Sequence, residues 1–332
     1  MDFHPTATLQ TLKARAQLLE VVREYFREHD YWEVETPMLS EDIVVDAHLD
    51  PYIVDDGAFR RFLQTSPEFH MKRLLAVGAE AIFQVTHAFR QRELGTLHNP
   101  EFTIVEWYRL GDTYHDQMKF TQGLVTRVFE AAKRIRGTRE SMSDVSELFS
   151  KITYDEAFKA HTGSHVIRCS PEELVLKAER HQVSIPDTQN RDDRDGLLNL
   201  LLSELVEPHL GKSEPTFLLD YPASQAALAR IRRDDYPPVA ERFELYIRGI
   251  EICNGYQELT DPDELTNRIE EQLAIRQAEG ADQLPSESRL LAAMRAGLPE
   301  CSGVALGFDR LVMLALGCER LSDVLAFPFD RA

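Results

Sequence analysis

The chain has 332 residues, 43% of them hydrophobic, and a formal charge of −19 with histidine neutral. This length and composition suit a globular protein with one dominant core and exclude disordered and fibrous classes. An acidic field of that size opposes docking on nucleic acid, because phosphate contacts require locally concentrated Lys and Arg.

The longest apolar runs, among them Leu311 to Leu316, fall far short of the roughly 20 residues of a membrane helix. MDFHPTATLQ at the N-terminus lacks a basic-then-apolar leader pattern, so the expectation is a cytoplasmic protein without membrane association. Cys169, Cys253, Cys301 and Cys318 are isolated, without a CxxC pair or a His at ligand spacing, and read as packing residues. The short basic clusters Arg60-Arg61, Lys133 to Arg139 and Arg230 to Arg233 read as solvated helix ends or loops.

In chain order, Leu12, Ala16, Leu19, Val22 and Phe26 recur at spacings of three and four, which predicts an amphipathic helix from about Thr8 to His29. YWEVETP reads as a strand ended by Pro37. Residues 81–90 and 102–109 read as an antiparallel hairpin around the polar loop Gly95 to Glu101, with Gln84, Thr86 and Arg90 on one face and Glu106 and Tyr108 sharing a face opposite. A helix follows from about Tyr114 to Arg136. Ser141 to Gly211 reads as an inserted helical layer, with Pro171 opening one helix and Asp192 to Leu205 forming another.

Strands return at Thr216 to Asp220, Ala240 to Ile247 and Glu251 to Glu258; Asp261, Pro262 and Glu264 then mark a helix start. GVALGFDRLVMLALG reads as a buried strand entering a helix near Asp309. The order lacks βαβ alternation and predicts an α+β fold built on a mainly antiparallel sheet flanked by helices.

No GxxxxGK[ST], GxGxxG, HExxH or GxSxG string is present, and Gly211-Lys212-Ser213 lacks the upstream glycine of a phosphate loop. Arg90 at a strand end, beside His98-Asn99-Pro100-Glu101, is suited to hold a phosphate bidentately; a surface salt bridge is the plainer alternative. Arg310, in the first turn of a helix, sits where backbone N–H groups already favour an anion. Glu244 and Glu251 read either as a pair sharing Mg²⁺ or as solvated strand-face carboxylates. Glu258, near Asn254, Gly255 and Tyr256, suits an ammonium group or a capping role.

Four strings in order, TPML, FRQRELGTLHNPEFTIVEWY, ERFELYIRGIEICNGYQEL and SGVALGFDRLVML, resemble motif 1, motif 2, the metal- and substrate-binding strands and motif 3 of class II lysyl-tRNA synthetases, over roughly residues 9–332. TSPEFHMKRLL, the terminal LAFPFDRA and a start directly at the catalytic core are most similar to the truncated branch of that family. Its members attach (R)-β-lysine to a lysine of translation elongation factor P.

The resemblance implies one class II catalytic domain over 1–332, with a helical insertion at about 141–211 and no anticodon-binding domain. It also implies ATP and Mg²⁺ as cofactors, elongation factor P as protein acceptor, β-lysine as the small molecule, no tRNA, and a homodimer with Pro37 at its interface. By the same resemblance Arg90 and Arg310 are catalytic, holding the α- and γ-phosphates. Arg92, Asn99, Glu251, Ile252 and Gly307 join them around ATP, Glu244 and Glu251 bind metal, and Ser66, Pro67, Glu68, Tyr108 and Glu258 receive the amino acid.

Two positions depart from the family. Its motif 2 reads Phe-Arg-x-Glu, whereas here Phe89-Arg90-Gln91 is followed by Arg92, with Glu93 one place late. Ala305 stands where lysyl-tRNA synthetases carry glycine, which implies a preference for a β-amino acid. An amide-forming amino-acid synthetase paralogue and a non-enzymatic amino-acid sensor are the alternative readings.

Overall fold

The computed structural model describes residues 3–47, 49–137 and 148–332. They gather into two compact units, 1–144 with 259–332, and 145–258. The first opens with α1 (Leu9–Glu28), β1 (Trp32–Glu33), β2 (Leu39–Ser40), β3 (Ile53–Asp55), β4 (Arg60–Leu63), α2 (Glu68–Ala76), β5 (Ala81–Phe89), β6 (Glu101–Leu110) and α3 (Tyr114–Arg136). The second holds β7 (Ser150–Thr153), α4 (Tyr154–Thr162), α5 (Pro171–Arg180), α6 (Arg194–Leu205), β8 (Thr216–Pro222), β9 (Ile231–Arg232), β10 (Val239–Ile247) and β11 (Ile250–Gln257). The chain returns to the first through α7 (Pro262–Ala278), α8 (Arg289–Gly297), β12 (Cys301–Gly307) and α9 (Phe308–Leu316).

In the first unit β5, β6 and β12 pair antiparallel and β1 adds to β5 in parallel, while β2, β4 and β3 form a separate small antiparallel sheet. α1 begins where Thr8 caps the Thr11 N–H, and its apolar stripe buries Leu18, Val22 and Phe26. Phe26 stacks on Phe83 at 4.3 Å and meets Trp107 edge-on at 5.3 Å. Residues alternate across a strand. With Trp107 turned to α1, its neighbours Glu106 and Tyr108 face the other way.

In the second unit β11, β10 and β8 pair antiparallel, β7 joins β8 in parallel, and β9 pairs β10. α4, α5 and α6 bury Tyr154, Phe158, Leu174, Leu197, Leu198 and Leu201 in one core with Leu218, Tyr221 and Tyr246. Gly211 has φ +68, and a Cβ there would run into the Tyr246 carbonyl, so the Gly-Lys-Ser triplet serves a close backbone crossing.

The strand pairings within each unit are mainly antiparallel, as the α+β reading expects. Three local expectations change. YWEVETP supplies only the two-residue strand β1, because after Val34 bonds the Phe83 carbonyl the chain leaves the sheet well before Pro37. The inserted stretch contains the strand β7 besides its helices, and residues 141–147 of it lie outside the described residues, as does Arg139. Arg60 and Arg61 lie on β4, and Arg232 lies on β9 bonded to Asp220 and Asp235, so these are strand residues in ion pairs rather than helix ends. All four cysteines are free thiols, Cys253 and Cys301 buried and Cys169 and Cys318 partly so. No helix among the described residues is long and apolar enough to cross a membrane.

Candidate active site

In the first unit, Ser66, Pro67, Glu68 and Tyr108 gather around a residue that motif reading left out. Glu106, 1% exposed, accepts a 2.9 Å hydrogen bond from Ser66 Oγ and a 2.7 Å bond from the Tyr108 hydroxyl. Pro67 stands at the start of α2, and the Ser66 Oγ accepts from the Glu68 N–H. Glu68 takes a 2.5 Å bond from Lys72 one turn later, a buried ion pair beside the Tyr108 ring. Across the sheet Glu106 faces Gln84 on β5 and Ala305 on β12, so the Ala305 methyl stands on the Glu106 face. The signal for Glu106 was present in the alternation with Tyr108, two residues on.

Arg90 lies one residue past the end of β5, its N–H on the Pro100 carbonyl. Its guanidinium sits over the Phe102 ring at 5.0 Å with Nη1 3.5 Å from Glu93 Oε1, and its Nε is buried with no hydrogen-bond partner. An unsatisfied buried donor on a cation is costly unless a ligand completes it. Arg310 occupies the first turn of α9, donating to the Leu97 carbonyl at 3.2 Å and to His98 Nε2 at 2.7 Å. Arginine has no acceptor, so His98 must present a bare Nε2. Burial, and then the Arg310 charge, hold the His98 pKa below its usual value.

α9 is itself pinned by Asp309, which accepts from the Thr103 N–H and from Arg15 at 2.6 Å. Gly307 caps the helix without a side chain. Asn99 is buried and spends its amide on the chain, donating to the Glu101 carbonyl and accepting from the Phe329 N–H.

Strand alternation would place Arg92 on the face of Arg90, but the strand stops at Phe89. Arg92 has φ +64, a left-handed turn residue, and points outward with its side chain 85% exposed, 3.5 Å from Asp50. This turn carries Glu93 to Arg90. Glu93→Gln is expected to raise the KM for ATP several-fold while Arg92→Glu leaves it nearly unchanged. A silent Glu93→Gln combined with faster pyrophosphate exchange in Arg92→Glu would reverse that assignment.

In the second unit Glu244, 6% exposed, accepts from Arg242 at 2.5 Å and from the Tyr246 hydroxyl at 2.7 Å. Burial opposes the charge of Arg242, and the Glu244 carboxylate more than offsets it, so its pKa is raised. The register shifts beside Leu245: Glu244 faces Asn254, whereas Tyr246 faces Glu251 and Ile252 is left over. One extra residue swaps faces. The shift therefore puts Glu251 on the face of Glu244, and the unpaired Ile252 is 2% exposed. Among the described residues no group of three or more His, Cys, Asp or Glu is placed to hold a metal ion, and the two carboxylates are hard oxygen donors of the kind Mg²⁺ takes. Glu258 follows β11, bridged to Ala229 and 1% exposed.

An adenylate-forming ligase is the kind of protein these features suit: an arginine whose buried Nε lies open to a phosphate, a second arginine at a helix start, and two carboxylates on one sheet face. Residues 1–331 match the tRNA synthetases class II (D, K and N), and the chain belongs to that family. A protein of Salmonella arizonae named elongation factor P–(R)-β-lysine ligase is 44% identical over 99% of this chain and 98% of its own length. Proteins of that name from Salmonella dublin and Salmonella gallinarum are each 43% identical over 99% of this chain and 98% of their own. Within the class II family the chain thus belongs with these ligases, and it is an enzyme of the ligase type.

Proposed function

We propose that this chain activates (R)-β-lysine with ATP and transfers the aminoacyl group to a lysine side chain of elongation factor P. The full-length similarity to ligases of that name carries the reading, and the buried, unpartnered Nε of Arg90 supports it as a group waiting for a phosphate oxygen. The amino-acid carboxylate attacks the α-phosphorus, the bond to the pyrophosphate oxygen breaks, and the acyl group then passes to the acceptor amine with loss of AMP.

Arg90 would meet the α-phosphate as charge develops there, and Arg310 would hold the γ-phosphate, its side chain aimed by Leu97 and His98. Gly307 would allow ATP to approach the backbone, Asn99 would shape the loop, and Ile252 would contact ATP. In the second unit Glu244 and Glu251 would hold Mg²⁺, which when bound offsets phosphate charge. Ser66, Pro67, Glu68 and Tyr108 would receive the amino acid, and Glu258 its ammonium group. Pro37 is exposed beside Met38 and Leu39, both nearly half exposed, which supports a homodimer contact there. An acceptor that acts in translation places the enzyme in the cytoplasm.

Incubating the protein with ATP, Mg²⁺, (R)-β-lysine and elongation factor P is expected to add one β-lysyl mass to the factor and to leave lysine tRNA uncharged. Ala305→Gly is expected to improve use of α-lysine relative to β-lysine, since the methyl no longer crowds the α-amino position. Charging of tRNA without modification of the factor would sink the proposal.

A further inference from the structure

We infer that Arg276 is a positioning residue for the ATP-contacting turn that follows β5, acting through Asp46, Leu49 and Asp50. Arg276 lies in the last turn of α7 and is 0% exposed. Its Nη1 donates to the carbonyls of Asp46 at 3.0 Å and Leu49 at 3.3 Å, its Nη2 to Asp50 Oδ1 at 2.9 Å, and its Nε to the Asp282 carbonyl at 3.2 Å. One turn earlier on the helix, Gln272 accepts from the Ala47 N–H at 2.8 Å.

The chain so held at Asp46, Leu49 and Asp50 lies outside helix and strand, and its carbonyls there must find donors outside regular structure. It passes the constraint on: the Asp50 carbonyl accepts from the Gln91 N–H at 2.9 Å, the Pro51 carbonyl accepts from Gln91 Nε2 at 2.8 Å, and the Asp50 carboxylate lies 3.5 Å from Arg92. Gln91 follows Arg90 directly. An arginine buried to this degree is a poor device for stability alone, because desolvation consumes most of what its ion pair returns. A rigid guanidinium with several N–H groups is, however, well suited to fixing acceptors from distant parts of the chain in one geometry.

The inference rests on the reading that Arg90 contacts ATP. Arg276→Lys keeps the charge and loses the fork, while Gln91→Ala cuts only the side-chain link farther along. In pyrophosphate exchange with the full-length protein, ATP and (R)-β-lysine, each is expected to raise the KM for ATP about fivefold, with the KM for β-lysine and the melting temperature little changed. The double variant should be no worse than the worse single one, since both cut one path. A folded variant whose KM for ATP is unchanged, or whose two KM values rise alike, overturns the inference. If Arg276→Lys does not fold, Gln91→Ala decides by the same criterion. Arg90→Ala, measured in parallel, separates the levels: exchange within twofold of the parent together with an unchanged KM for ATP there removes the ATP reading itself and the inference with it.

Discussion

Replacing Arg90 by alanine is expected to slow amino-acid-dependent pyrophosphate exchange by about 10²-fold or more, the scale seen when one preorganised donor to developing charge is deleted. The guanidinium is already in place: Phe102 supports its face, Glu93 lies at one edge, and the buried Nε is left open. Such a group needs no reorganisation as negative charge grows on a phosphate. Arg90→Lys should rescue little, because an ammonium lacks the planar fork that grips two phosphate oxygens. Stability should change little or rise, since the substitution removes a buried donor that has no partner in the absence of substrate. Exchange within twofold of the parent, with the KM for ATP unaltered, would end the assignment.

Glu258→Gln is expected to reduce kcat/KM for (R)-β-lysine at least about tenfold, as loss of one charged hydrogen-bond partner to a buried ammonium is worth about 1.5–3 kcal/mol. At 1% exposure, an ionic contact made at this position is screened little by water. Glutamine preserves the volume, which keeps packing out of the comparison. The loss should fall on the amino acid and spare the KM for ATP. Equal exchange rates in variant and parent, both folded by melting temperature, would discard Glu258 as the ammonium partner.

Much of the fold was legible before any coordinates. The 3.6-residue stripe of α1, the Asp261-Pro262 start of α7, Pro171 at the first turn of α5 and the alternation through β5, β6 and β10 are local signals, each set by the chain's own backbone sterics and nearest neighbours. The chemistry was legible only as residue types in order, and the family likeness supplied their roles. Arg90, Arg310 and Glu258 are single letters whose spacing alone admits an ordinary salt bridge or cap.

What only the tertiary structure decided depends on partners far away in the sequence. Period-two counting puts Glu251 on the wrong side of β11 for Glu244; the register shift against β10 brings the two onto one face, and nothing within β11 announces it. Alternation likewise carries Arg92 to the face of Arg90, but β6 pairs with β5 only as far as Phe89, and the left-handed Arg92 then turns outward while Glu93 comes in. Arg276 is one more charged letter in a helix until α7 is laid against Asp46 and Asp50, some 226 to 230 positions away. Sequence by itself determined the elements and the family, because periodicity, caps and ordered motifs are short-range information. Register, faces and the burial of charge were settled in three dimensions, where each choice is made by a neighbour that the local chain cannot specify.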